Sequence, residues 1–282
     1  DTDRSRGLGD VYKRQMQYHY QWLTPFDAKR TTVVCLHGFT GTLATFAAVF
    51  PSQTPYNVLG IDLPGHGATA SLVAPERYTM KQVCHDLAEL TESLNLPCFC
   101  LLGYSMGART ALGFALHYPQ KVQHLLLESG SPGLATVAER QTRICQDHRL
   151  AERLLEEPLV DFIDFWQELP LFQTQKALSV AQQMAIRQER LSQSAFGLAS
   201  SLWYMGTGAQ ESYWERLAEL QPIPTDLLVG GEDQKFIGIA KKMQARQPLL
   251  RLTIFPEAGH CIHLEQPTIF YEKVTALLEG AV

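Results

Sequence analysis

Four short segments of this 282-residue chain carry residue types suited to nucleophilic or general-base chemistry. Gly103-Tyr104-Ser105-Met106-Gly107 has the G-x-S-x-G spacing, whose glycines permit a tight, strained turn that lifts a serine hydroxyl clear of the backbone. The segment falls between a predicted strand and a predicted helix, so the first N–H groups of that helix face any negative charge developing nearby. A serine needs a proton acceptor. Of nine histidines, His260 lies between the last predicted strand and the last predicted helix, and His263 follows within reach of the same cleft. In the chain order serine, acid, histidine, the acid comes between the two. Asp233, in Gly230-Gly231-Glu232-Asp233, occupies the loop after the preceding strand; Glu232 is its nearest competitor, and Asp226 falls at the opposite end of the sheet. The fourth segment is Leu36-His37-Gly38-Phe39-Thr40-Gly41. There a glycine lets the N–H of Phe39 point into the site beside that of Met106, and two such donors make an oxyanion hole. His37, and His66 in Pro64-Gly65-His66-Gly67, read as hydrogen-bonding, turn-shaping residues.

These loops need a frame. Val33–Leu36, Val58–Ile61, Cys98–Gly103, Val122–Leu127, Thr225–Val229 and Leu252–Phe255 are short apolar runs, as expected of strands covered on both faces. An alternating stretch over 17–22 adds a strand at the start. Thr79 opens a helix with Val83, Leu87, Leu90 and Leu94 on one face; further helices are expected over Ser105–His117, around Ile237–Arg246 and from Pro267 onward. Strand and helix in repetition predict an α/β fold, a mostly parallel sheet with helices on both faces. Between Pro132 and about Arg216 the rhythm changes to a helical, aromatic-bearing, strand-free stretch. An insertion at that point covers the C-terminal ends of the strands, where open α/β sheets bind ligands. The expected organisation is therefore a core over 16–131, a helical cap over 132–216 and the rest of the core over 217–282. Residues 1–15 lack periodicity and a signal-peptide apolar region, and are expected to be a non-native or disordered segment ahead of Met16, with a native basic arm as the alternative.

Composition narrows the classes. Apolar residues make up 45% and charged residues 19%, which excludes a disordered chain. A net charge of −5 argues against non-specific binding to nucleic acid or anionic membranes, and no apolar run approaches the roughly 20 residues of a membrane span. Six cysteines, without a CxxC pair or metal-like spacing, are expected to be reduced and mostly buried in a cytoplasmic protein. No metal or organic cofactor is implied.

Taken together over residues 16–282, the chain resembles the α/β-hydrolase superfamily. The carrying segments are LHGFTG (36–41), DLPGHG (62–67), GYSMGAR (103–109), ESGSPGL (128–134), Arg140 and Arg143, Gly206-Thr207-Gly208, DQKF (233–236) and Ala258-Gly259-His260. Within the superfamily these segments are most similar to the pyruvate-eliminating synthases of menaquinone biosynthesis. Gly231 departs from that pattern, where a glutamate is expected. The resemblance implies a carbon–oxygen lyase acting on 2-succinyl-5-enolpyruvyl-6-hydroxy-3-cyclohexene-1-carboxylate, with Ser105 as the base backed by His260 and Asp233. The N–H groups of Phe39 and Met106 then hold charge on the succinyl carbonyl oxygen.

Charge placement points the same way. Cations cluster at the motifs of a net acidic chain: Arg109, Lys235, Arg140 and Arg143, with Arg187 as a further candidate, and Tyr104 and Trp166 (or Phe165) as ring contacts. A substrate with three carboxylates needs several cations, and an arginine fork binds a carboxylate at two points. The alternative activity is a serine hydrolase cleaving an ester, thioester or C–C bond of a small acidic substrate, and a ligand receptor on the same fold is the non-enzymatic alternative.

Overall fold

A computed structural model describes residues 16–280. Its seven-stranded sheet runs β1 (Tyr20–Trp22), β3 (Asn57–Ile61), β2 (Thr32–Leu36), β4 (Phe99–Tyr104), β5 (Val122–Glu128), β6 (Thr225–Gly230), β7 (Arg251–Phe255). Only β1 is antiparallel, with Tyr20 opposite Ile61. It is shorter than the alternating sequence predicts and lies at an edge. Every residue of β2, β3, β4 and β6 is buried, which is why these strands are continuously apolar instead of alternating.

The two faces are separated by strand alternation. Val34, Leu36, Leu101, Leu125 and Leu127 face α1 (Met80–Ser93), α2 (Met106–His117) and α7 (Gln234–Arg246), packing on Val83, Leu87, Ala111, Phe114 and Met243. Val33, Cys35, Leu102, Leu126 and Leu228 face the other way, against Phe46, Phe50 and the Phe270, Val274 and Leu278 stripe of α9 (Pro267–Glu279). The Thr79 side chain caps α1 by accepting from the Gln82 N–H.

Between β5 and β6 the described residues form no strand. They build α3 (Val137–Glu156), α4 (Leu159–Gln167), α5 (Val180–Leu191) and α6 (Ala195–Met205). A capping box between Thr136 and Glu139 fixes the start of α3. Ala151, Leu154, Phe162, Ile163, Leu198, Ala199 and Leu202 give this insertion a small core of its own. Gly208 is required where the chain leaves α6, because a Cβ there would lie 2.6 Å from the Ile144 backbone N of α3. The expected segment 1–15 lies outside the described residues. All six cysteines are unbridged; Cys35, Cys84, Cys100 and Cys261 are buried, Cys98 is half-buried and Cys145 is exposed.

Candidate active site

Ser105 sits where β4 hands over to α2, in a conformation (φ 50°, ψ −103°) that side chains rarely adopt. The flanking glycines make that turn possible. A Cβ on Gly103 would lie 2.3 Å from the Gly107 carbonyl oxygen, and one on Gly107 would lie 2.0 Å from that of Leu36. The Ser105 N–H is anchored on the Glu128 carbonyl at 2.9 Å, so the hydroxyl is held at the end of the sheet.

His260 Nε2 is 2.9 Å from Ser105 Oγ, and its Nδ1 is 2.6 Å from Asp233 Oδ2. Asp233 is also the N-cap of α7, its Oδ1 accepting from the Phe236 N–H at 3.2 Å, so both carboxylate oxygens are fixed. With Nδ1–H donated to the carboxylate, the Nε2 lone pair faces the serine hydroxyl. Glu232 is exposed to solvent and Asp226 lies in a separate network with His124 and Arg251. Asp226 is the second residue of β6 and therefore sits at the end remote from Ser105. His263 turns away from the serine and bonds Glu128. Gly231 has its own steric reason, since a Cβ there would lie 2.4 Å from the Pro256 carbonyl oxygen.

Phe39 and Met106 line the same cavity as Ser105 and His260, and neither backbone N–H donates to another group among the described residues. The loop bearing Phe39 packs tightly on Tyr104, whose Cε1 would be 2.5 Å from a Cβ on Gly38. His37 stiffens this loop, its Nδ1 2.7 Å from the Gly38 carbonyl and its Nε2 accepting from the Leu63 N–H at 2.9 Å. Burial pushes His37 down, and burial together with the neighbouring His37 pushes His66 down to about 3, so both are neutral scaffold groups.

The cavity, of about 190 Å³, is lined on its polar side by Arg109, Arg143, Lys235, Ser131 and Thr207, and on its apolar side by Phe39, Trp166, Phe172, Met205 and Phe236. Three residues that the sequence did not single out hold the guanidinium groups. Gln210 Oε1 accepts from Arg109 Nη1 at 2.6 Å, and the Met205 carbonyl accepts from Arg109 Nη2 at 3.2 Å. Asp147, buried and four residues along α3, accepts from Arg143 Nε at 2.7 Å. Gly206 makes room for Asp147, because a Cβ there would lie 2.5 Å from its Oδ2. Burial, then the neighbouring charge of Arg143, push the Arg109 guanidinium down to about 10 and lower the Lys235 ammonium in the same way. The rings of Phe236 and Phe172 flank His260, with centroids 4.6 Å and 6.4 Å away. Trp166 packs on Phe39 and Phe172, and its buried indole Nε1 has no hydrogen-bond partner among the described residues.

Two expected contacts are placed elsewhere. Arg140 Nη1 donates to the Leu134 carbonyl at 3.4 Å; it stands three residues, about 4.5 Å, nearer the start of α3 than Arg143 and does not line the cavity. Arg187 is on the outside of α5 in a two-point pair with Asp164. Phe165, the alternative ring to Trp166, is partly exposed and carries Arg153 over its face at 4.2 Å. Among the described residues, Glu128, Cys261 and His263 are the group of metal-ligating types with donor atoms within 4.8 Å of one another, but Glu128 and His263 already bond each other. No described helix is long and apolar enough to cross a membrane.

Comparisons with known proteins agree with this architecture. The model of the α/β hydrolase fold family matches residues 31–267. A Bacillus subtilis (strain 168) protein provisionally named 2-succinyl-6-hydroxy-2,4-cyclohexadiene-1-carboxylate synthase is 40% identical over 246 residues, covering 87% of this chain and 89% of its own. The Serratia proteamaculans (strain 568) synthase of that name is 30% identical over 253 residues, covering 89% of this chain and 94% of its own. Among solved structures, MenH from S. aureus superposes with a TM-score of 0.85 at 33% identity, over 94% of this chain and 98% of that one.

Proposed function

The chain belongs to the α/β-hydrolase fold family and, within it, to the 2-succinyl-6-hydroxy-2,4-cyclohexadiene-1-carboxylate synthases, and from that premise we propose that Ser105, His260 and Asp233 run a pyruvate-eliminating proton abstraction. His260, oriented by Asp233, takes the Ser105 proton, and the serine oxygen removes a ring proton from the enolpyruvyl cyclohexene substrate. The electrons of that C–H bond pass through an enolate on the succinyl carbonyl, held by the Phe39 and Met106 N–H groups, and form the new ring double bond. The existing ring double bond shifts toward the departing group, the ring carbon–oxygen bond breaks, and the leaving enolpyruvate takes the proton carried by His260 to become pyruvate.

The observation that carries this reading is the charge of the cavity. Arg109, Arg143 and Lys235 converge beside Ser105 in a chain of net charge −5, and a single carboxylate, Asp147, pairs with one of them. A neutral acyl substrate gives no reason to gather three cations there, one of them buried, whereas a tricarboxylate does. Trp166 Nε1 offers one further donor. Residues 132–216 act as the cap in this scheme, and the setting is a reduced cytoplasm, in keeping with six unbridged cysteines.

Pyruvate release is the test, with the substrate generated in situ by the preceding enzyme and Ser105→Ala protein as the blank. Rapid release by the wild type, with Ser105→Ala folded, still binding and at least about 10³-fold slower, is expected. Equal rates would overturn the mechanism. Turnover of p-nitrophenyl acetate without pyruvate release would instead assign a serine hydrolase.

A further inference from the structure

Behind the serine and histidine lies a second pair of titratable side chains that the reaction scheme leaves unused. Glu128 ends β5, and His263 lies in the short helix α8 (Ile262–Glu265); neither has any solvent exposure. His263 Nδ1 is 2.8 Å from Glu128 Oε2 and 3.0 Å from Oε1, and Oε1 also accepts the His263 backbone N–H at 3.1 Å. On the other side of the ring, Nε2 is 2.8 Å from Thr45 Oγ1. An apolar pair of the same volume would stabilise the core as well or better, so what the buried pair contributes is fixed geometry.

Its connections show which geometry. The Glu128 carbonyl receives the Ser105 N–H, and Ser129, the next residue, is held at φ 49° with its hydroxyl donating to the His260 carbonyl at 2.8 Å. Thr45 belongs to the turn that follows the Phe39 loop. The Tyr104 ring stands between the two histidines, 4.9 Å from His263 and 5.4 Å from His260, and packs on Gly38. One buried pair thus ties together the serine turn, the histidine loop and the oxyanion loop.

We infer that Glu128 and His263 are positioning residues, which hold His260 on Ser105 and both on the Phe39 loop without touching substrate; this rests on the reading of Ser105 as the reacting group. Burial alone would lower His263, but its contacts with Cys261 and with the Glu128 carboxylate hold it well above its ordinary range. The other titratable groups near it are the Cys261 thiol, 3.7 Å from Nε2, and the Tyr104 phenol, both pushed up by burial and therefore neutral. Glu265, on the same helix, is engaged with the Gly259 N–H and the Thr174 hydroxyl, and Arg190 lies beyond Tyr104 with its guanidinium over Phe172.

Glu128→Gln keeps the shape and removes the charge. The expected result is a folded protein with kcat about 10- to 100-fold lower, KM within twofold, and a new ionisation at or below about pH 6.5 in its kcat profile. That ionisation is His263, now free to lose its proton; in the protonated form its uncompensated charge opposes the imidazolium that His260 must become, so activity recovers as pH rises. A fluorophosphonate probe read by mass spectrometry needs only the Ser105–His260 alignment, and its labelling rate should fall about tenfold in the variant whether or not the wild type releases pyruvate. Thr45→Val, which leaves the ion pair intact and removes one hydrogen bond, should lower both rates by about threefold to tenfold, and it decides the matter if Glu128→Gln does not fold. A folded Glu128→Gln protein with unchanged labelling, kcat and pH profile would overturn the inference. A wild type that neither labels nor releases pyruvate would overturn both it and the reading of Ser105.

Discussion

Replacing Arg143 with alanine removes more than a ligand for substrate. Its Nε bonds Asp147 Oδ1, and Asp147 is buried with Oδ2 lacking a partner among the described residues, so truncation leaves a bare carboxylate beside the cationic cavity. Loss of one charge-assisted hydrogen bond to a substrate carboxylate costs about 1.5–3 kcal/mol. Repulsion between the exposed Asp147 and that carboxylate, at about 6 Å and an effective dielectric of about 20, adds about 2.8 kcal/mol. The Arg143 side chain is 34% exposed, so solvent screening reduces the repulsion to about half of that. The sum is about 3–4 kcal/mol, a fall in kcat/KM of roughly 10²- to 10³-fold. Adding Asp147→Asn removes the repulsive share alone, and the double variant should recover about tenfold. The assay is pyruvate release across the four members of the cycle, at low and at physiological salt, with melting temperature as the control for folding. A double variant no better than Arg143→Ala, or a single variant within threefold of wild type, would refute the reasoning.

Two further outcomes concern pH. His66 is held at about 3 in the fold and titrates near its ordinary value when unfolded, so the unfolded chain binds the extra proton as acid is added. Stability attributable to His66 is therefore complete above about pH 6.5 and is lost at up to about 1.4 kcal/mol per unit as pH falls below it; a urea series from pH 7 to 5 checks this, and a His66→Asn protein with the same slope would contradict it. Lys235 is lowered by burial and by Arg143, so it loses its charge at a lower pH than a surface lysine. KM should rise on the alkaline side in the wild type and stay flatter in Lys235→Arg; identical alkaline limbs would remove Lys235 from substrate binding.

Much of the frame was legible because it depends on local spacing. Continuous apolar runs, G-x-S-x-G after a strand, and a histidine between the last strand and helix each encode their setting within a few residues. The α3 face was only half legible. Arg143 and Asp147 are four residues apart, a spacing that predicts a pair on any helix, yet nothing local tells which side of α3 meets the cavity. The same limit explains Arg140 and Arg187: as charges on amphipathic helices they are indistinguishable in sequence from Arg143, and only their positions along the helices and their partners, the Leu134 carbonyl and Asp164, separate them.

By itself, then, the order of residues determined the strand–helix alternation, the strained serine turn, the acid and histidine loops and the cationic character of the site, since each follows from periodicity, glycine placement or net charge. The tertiary structure decided the rest. Gln210 lies 101 residues from the Arg109 it holds, and His263 lies 135 residues from Glu128. Such pairs form only when the sheet brings successive loops to one end, and a buried polar group acquires its meaning from the partner that satisfies it, which no local pattern records.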